Sequence, residues 1–141
     1  MRTETEKAKE VLERDNRTLV LCSENEIITS GERGVKTLLA LEDEGRDLSA
    51  FCAADKVVGK GAAVLFALLK VKELYAAVIS EKAKKLLCDN GITVYSGQVV
   101  PAVLNRKGDG FCPIETAVGN TENLQQALEI IKDTLEKMRA K

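Results

Sequence analysis

Apolar positions along this chain follow two periods, and the switches between them mark out its elements. Ala8, Val11 and Leu12 recur at helical spacing in a charged stretch, which predicts a helix from about Thr3 to Asp15 with a thin apolar stripe. Thr18–Cys22 and Glu26–Ser30 are β-rich runs, and the polar Ser23-Glu24-Asn25 between them predicts a hairpin turn. Ser30-Gly31-Glu32-Arg33-Gly34 reads as a glycine-bearing loop. A helix follows over Val35–Glu44, with Leu38, Leu39 and Leu41 inward and Gly45 as its stop.

The next stretch predicts a short strand over about Ser49–Ala53 and a helix over about Asp55–Lys70. Past Lys60 this helix is apolar on every side (Ala62, Ala63, Val64, Leu65, Phe66, Ala67, Leu68, Leu69), the mark of a buried helix. It falls short of the roughly 20 residues of a membrane span. Leu74–Ile79 is a continuous apolar run, as in a strand covered on both faces. Ser80 caps a helix over Glu81–Asp89, Asn90-Gly91 ends it, and Ile92–Tyr95 is the next strand. Gly97–Gly110 reads as loop or weak strand with a charged turn at 105–110. The last helix runs from about Thr121 to Arg139, with Leu124, Leu128, Ile131, Leu135 and Met138 stepping along one face. Strands alternating with helices predict an α/β domain with right-handed crossovers and a partly parallel sheet.

Composition narrows the function classes. The 141 residues suit one domain, residues 1–141. With 21 basic and 22 acidic residues, there is no basic excess for a nucleic-acid partner and no polybasic tail for a membrane. Aromatics at 4% give no stacking platform for single strands. The N-terminus is too polar for a signal peptide. Histidine is absent, which removes His-based acid–base catalysis, His-dependent triads and His-ligated metal sites. Cys22, Cys52, Cys88 and Cys112 form no C-x-x-C pair, so no zinc ribbon or dithiol motif is expected. No cofactor and no metal are expected. The thiols are expected reduced, in a cytoplasmic protein, and mostly packed as small core hydrophobes.

Candidate chemistry gathers at two helix starts. Asp55 is the expected N-cap of the apolar helix, yet Lys56 and Lys60 follow it, and cations oppose the positive end of a helix. Gly59 and Gly61 each cost about 1 kcal/mol against alanine. Four apart, Lys56 and Lys60 share a face of such a helix. Together with its free N–H groups they suggest an anion site. The plainer alternative is solvated lysines, with glycines that let the helix pack closely. The second start is Cys112-Pro113-Ile114-Glu115, where proline suits the first position and Glu115 the capping-box position. Cys112 then falls at the N-cap, where a thiolate is stabilised. A buried thiol at a tight loop is its alternative.

The order of elements resembles the cytidine-deaminase-like fold. Zinc deaminases open their first central helix with H-x-E or C-x-E and the next with P-C-x-x-C. Here the corresponding starts are Ala54-Asp55-Lys56-Val57 and Ile79-Ser80-Glu81-Lys82-Ala83, without zinc ligand or catalytic glutamate. A closer resemblance, over essentially the whole chain, is to an uncharacterised domain-of-unknown-function family placed in that superfamily but lacking its zinc site. It is carried by Ala54 to Ala63, by Ser30-Gly31 and by Cys112-Pro113-Ile114-Glu115. The resemblance implies a three-layer α/β/α sandwich with a mixed sheet and implies no activity. It suggests that the three segments meet where deaminases bind their base.

Two functions are therefore expected. In one, Ser30, Gly31, Asp55, Lys56 and Lys60 bind a small anionic, nucleotide-like or phosphorylated molecule, with Cys112, Glu115 and Lys56 as the catalytic candidates. In the other, the chain is a non-enzymatic regulatory or interaction domain, and Asp55–Lys56 and Glu115–Lys60 are buried ion pairs. By fold analogy, a homodimer built on the central helices is expected.

Overall fold

The computed structural model describes residues 1–32, 35–103, 112–119 and 121–139. Its elements run α1 (Thr3–Arg14), β1 (Leu19–Cys22), β2 (Ile27–Ser30), α2 (Lys36–Asp43), β3 (Cys52–Val58), α3 (Lys60–Leu69), β4 (Glu73–Ser80), α4 (Glu81–Asp89), β5 (Thr93–Val100), α5 (Pro113–Val118) and α6 (Leu124–Arg139). Arg33, Gly34 and the turn expected at 105–110 lie outside the described residues.

The strands form one mixed five-stranded sheet in the order β2-β1-β3-β4-β5. β1 is antiparallel to both β2 and β3, whereas β3, β4 and β5 are parallel. On one face, Ala8, Val11 and Leu12 of α1 cover Val20, Cys22 and Ala54. On the other, Leu21, Ala53, Leu74 and Ala76 share a core with α2, α3, α4, α5 and α6. Cys22 and Cys52 are buried opposite each other on β1 and β3, whereas Cys88 is exposed.

The apolar helix is buried as its pattern predicts. α3 packs against α2, α4, α5 and α6, and none of its residues is exposed. Its start, however, differs from the expectation. Asp55 and Lys56 belong to β3, and α3 begins at Lys60 with Gly59 as N-cap. The reason is tertiary pairing. Asp55 is held between Leu19 of β1 and Ala76 of β4, and the Lys56 N–H donates to the Thr18 carbonyl (3.1 Å). Two ladders override the weak local preference of Ala-Ala-Asp-Lys. β5 likewise runs past Gly97 to Val100, because β4 offers it partners up to Ser80.

Gly59 and Gly61 permit close packing, against α5 and the segment before it. A Cβ on Gly59 would lie 2.8 Å from Cγ2 of Val103, and one on Gly61 would collide with Cγ2 of Ile114. Gly61→Ala should therefore destabilise the protein, although alanine favours a helix by about 1 kcal/mol. In an Ile114→Ala background the same change should stabilise. A urea-denaturation cycle on the four proteins checks this reversal of sign.

Candidate functional site

The head of α3 carries no side-chain cap from its own N-cap residue, Gly59. It is closed instead by Glu115 of α5. The Lys60 N–H donates to Oε1 of Glu115 (3.2 Å), and the Val103 N–H donates to Oε2 (2.7 Å). Glu115 is only 6% exposed. A carboxylate is the group that the positive end of a helix favours. Here the chain supplies it.

Lys60 completes the tie from the other side. Its Nζ donates to the Gly119 carbonyl (3.0 Å), at the C-terminal end of α5, and the residue is 7% exposed. Burial lowers the Lys60 pKa most, and the charge of Lys82 acts in the same direction, against Glu122 and Glu115. The expected Glu115–Lys60 pair is thus a pair of reciprocal bonds. Each charged group meets backbone of the other's neighbourhood rather than the other charge.

Cys112 is the N-cap of α5 and Pro113 its first residue, as the spacing predicts. The capping box does not close. Glu115 is drawn to α3, and the Cys112 N–H donates to the Val103 carbonyl instead (3.1 Å). The thiol is free and half-buried.

Asp55 and Lys56, as strand neighbours, point to opposite faces and do not pair. Asp55 sits in a cross-sheet row with Leu19 and Ala76, both in the α3-side core. Its Oδ1 accepts the Val57 N–H (3.3 Å), a local bond to the backbone two residues on. Burial pushes its carboxyl up to about 8, against the smaller opposing effect of bonds from the Val57 and Lys56 N–H groups. The residue is nonetheless only half-buried. Lys56 faces the other way, and its Nζ donates to Oδ1 of Asn16 after α1. With α3 starting at Lys60, Lys56 and Lys60 share no helix face.

Ser30 and Gly31 serve the connection from β2 to α2. The Ser30 hydroxyl bonds that of Thr37 (2.8 Å) and accepts the Glu32 N–H (3.1 Å). Ser30 lies in the same sheet row as Asp55, two strand spacings or about 10 Å away. The guanidinium of Arg17 fills the space over Gly31, 3.4 Å from where a Cβ would stand.

The structure thus gathers Gly59, Lys60, Val103, Cys112, Glu115 and Gly119 at the α3 head, and places Ser30, Gly31 and Lys56 elsewhere. Val103 and Gly119 bond to the charged groups only through their backbone, and Arg17 stands in an unremarkable turn. No side-chain pattern in the sequence marks any of the three. Among the described residues, no three Cys, Asp or Glu side chains are grouped to hold a metal. Two shallow cavities of about 240 and 210 Å3 lie away from this head, at Leu39 and Lys132 and at Thr3 and Cys22.

Residues 7–135 match the TM1506 family, a domain of unknown function (DUF1893). The chain belongs to the DUF1893 family. Its structure is similar to the crystal structure of the DUF1893 family protein TM1506 from Thermotoga maritima, with a TM-score of 0.85 and 28% sequence identity. That similarity covers 97% of this chain and 91% of the Thermotoga chain. A comparison with curated proteins gives no match.

Two measurements probe the carboxylates of this DUF1893 chain. Glu115→Ala leaves two N–H groups without their acceptor, at about 1–3 kcal/mol each when buried. A total loss of about 2–6 kcal/mol is expected in urea denaturation. Glu115→Gln, which keeps one acceptor oxygen, should lose less. Asp55 is a carboxyl with a raised folded pKa. The folded state keeps its proton up to about 8, and the unfolded chain loses it near about 4. More protons on the folded state mean that stability falls as pH rises through this window and levels off above it. Asp55→Asn should match wild type near the lower end and exceed it in Tm near the upper end. Parallel slopes for the two proteins would remove Asp55 as the cause.

Proposed function

We propose that this DUF1893 chain is a non-enzymatic interaction domain on a cytidine-deaminase-like, three-layer α/β/α fold. The fold reading is supported by the succession of helix, hairpin and helix, then strand–helix–strand–helix–strand and a final helix. It is supported too by a mixed sheet with helices against both faces. The starts that would carry zinc chemistry, Ala54-Asp55-Lys56-Val57 and Ile79-Ser80-Glu81-Lys82-Ala83, hold neither ligand set nor catalytic glutamate.

One observation carries the functional reading. The place an anionic ligand would take at the α3 head is filled by Glu115. A phosphate would have to displace a buried carboxylate that accepts two N–H bonds. It would then find the Lys60 ammonium engaged with Gly119. Burying a group and leaving its bonds unmade is costly, so this exchange is disfavoured.

Asp55 favours a second reading. Its carboxyl, in a half-buried residue, suits a small ligand that brings hydrogen-bond donors or positive charge, not an anion. Cys112, half-buried nearby in sequence to the α3 tie, would remain the candidate for thiol chemistry in that case.

A thermal-shift screen of nucleotides, nucleosides, phosphorylated metabolites and small amines tests both. A ligand at a hundredfold excess over its Kd adds about 2.7 kcal/mol. The interaction reading expects no shift. A phosphorylated compound whose shift is lost in Lys60→Met would overturn it and restore the anion site. An amine whose shift is lost in Asp55→Asn would establish the second reading.

A further inference from the structure

We propose that Cys22 and Cys52 form a redox-sensitive dithiol, which a small peroxide closes into a reversible cross-strand disulfide. Such a modification site is independent of the interaction-domain reading.

Local spacing keeps these cysteines apart, and the sheet brings them together. They are direct partners across β1 and β3, in a register that runs unbroken through Leu19–Asp55, Val20–Ala54 and Leu21–Ala53. Both side chains therefore lie on the face of Val20 and Ala54, under α1. One step beyond that register Thr18 stands opposite Lys56, and the Lys56 N–H donates to the Thr18 carbonyl (3.1 Å). Hydrogen-bonded pairs alternate along an antiparallel ladder, so Val20–Ala54 and Cys22–Cys52 are of the hydrogen-bonded kind. Such pairs have Cα atoms about 5.5 Å apart, inside the roughly 4.4–6.8 Å of disulfides. Their Cβ atoms stand about 5.5 Å apart, against an upper limit of about 4.5 Å in a disulfide. Closing the bond thus takes a movement of about 1 Å. Cys22 is the last residue of β1 and Cys52 the first of β3, so the movement falls on strand ends. The Cys22 thiol is restrained only by a long sulfur bond to the Ser23 carbonyl (3.5 Å). A disulfide closed under strain is easily reduced again, which is the character of a regulatory bond rather than a structural one.

Access and reactivity favour Cys22 as the thiol attacked first. Both residues are 1% exposed, yet Cys22 lines the shallow cavity of about 210 Å3 together with Thr3, Lys7 and Glu24. A peroxide, little larger than water, fits that space. Burial raises the Cys22 pKa, and the charge of Lys7 opposes the rise. Burial raises that of Cys52 too, and there the Thr5 side chain opposes it. The Thr5 hydroxyl is fully buried and has no well-formed hydrogen bond among the described residues, so a thiolate at Cys52 gives it the acceptor it lacks. In the first step the Cys22 thiolate attacks a peroxide oxygen. An S–O bond forms, the O–O bond breaks, and the leaving hydroxide takes up the thiol proton as water. The Cys52 thiolate then attacks the Cys22 sulfur. The S–S bond forms, the S–O bond breaks, and the second hydroxide leaves as water with the Cys52 proton. Two thiols and one peroxide thereby give one disulfide and two waters.

Hydrogen peroxide added to the full chain carrying Cys88→Ser, which removes the exposed thiol, tests the proposal. Remaining thiols are alkylated, and the protein is digested with trypsin without reduction. Mass spectrometry should then find peptide 18–33, with Cys22, joined to peptide 47–56, with Cys52, in most chains. Dithiothreitol should return both thiols. The rate of linkage should change by less than about twofold across urea concentrations below the unfolding transition, since the pair is already opposed in the folded state. In a Cys52→Ala chain with an unchanged far-UV spectrum, Cys22 should instead be trapped by dimedone as its sulfenic acid. Chains in which both thiols stay free overturn the proposal, as do chains in which Cys22 is oxidised while Cys52 remains a thiol. A linkage rate that climbs steeply with urea also overturns it, because only unfolded chains would then be reacting.

Discussion

One carboxylate holds the head of the buried helix. Glu115 brings negative charge to the end of α3 that most needs it, and accepts the Val103 N–H with its other oxygen. Without it, a helix enclosed on all sides would begin with donors that water cannot easily reach, and such groups are costly. The rest of the architecture is arranged around that closure. Gly59 and Gly61 lack side chains because Val103 and Ile114 stand where a Cβ would be. Lys60 crosses back to the carbonyl end of α5, so the short helix is held at both termini. A helix of six residues has little stability of its own, and these tertiary bonds keep it in place.

The same closure governs what the site can do. At the α3 head the Lys60 N–H is already bonded to Glu115 and the Lys60 ammonium to the Gly119 carbonyl. Glu115 and Lys60, both candidate site residues in the sequence, make the bonds of this closure. Asp55 stands apart from this. It is not part of the tie, its carboxyl is enclosed on the α3 side of the sheet, and it bonds only backbone N–H groups of its own strand. Its chemistry is that of a neutral acid over much of the ordinary pH range. That inverts the role a negatively charged cap was expected to play.

Strand pairing explains the reassignment of these residues. A strand edge on each side of β3 outbids the helical preference of Ala-Ala-Asp-Lys, and the moment β3 is extended to Val58, Asp55 and Lys56 part to opposite faces. β5 is extended by the same means, and among the described residues no strand lies beyond it. Four ladders join the five strands, and β5 is an uncharged strand at one end of the order.

By itself the sequence determined the element order, the buried character of α3, the Ser80 cap, the Gly45 stop and Cys112-Pro113 as the opening of a short helix. Each of these rests on local chemistry: a run of apolar side chains, a hydroxyl that reaches the N–H of Ala83, a glycine at positive φ, a proline ring with no N–H to lose. The absence of histidine and of close cysteine spacing likewise narrowed the chemistry before any fold was known. What only the tertiary structure decided are the places where one residue answers a distant one. Glu115 lies 55 residues from the N–H it caps, and local spacing assigned it to Cys112, three residues away. The boundary between β3 and α3 depended on Thr18, Leu19 and Ala76, none of which is near it in sequence. Backbone partners such as Val103 and Gly119 leave no mark in sequence, since every residue carries the same N–H and carbonyl, and only folding selects which of them meets a buried charge.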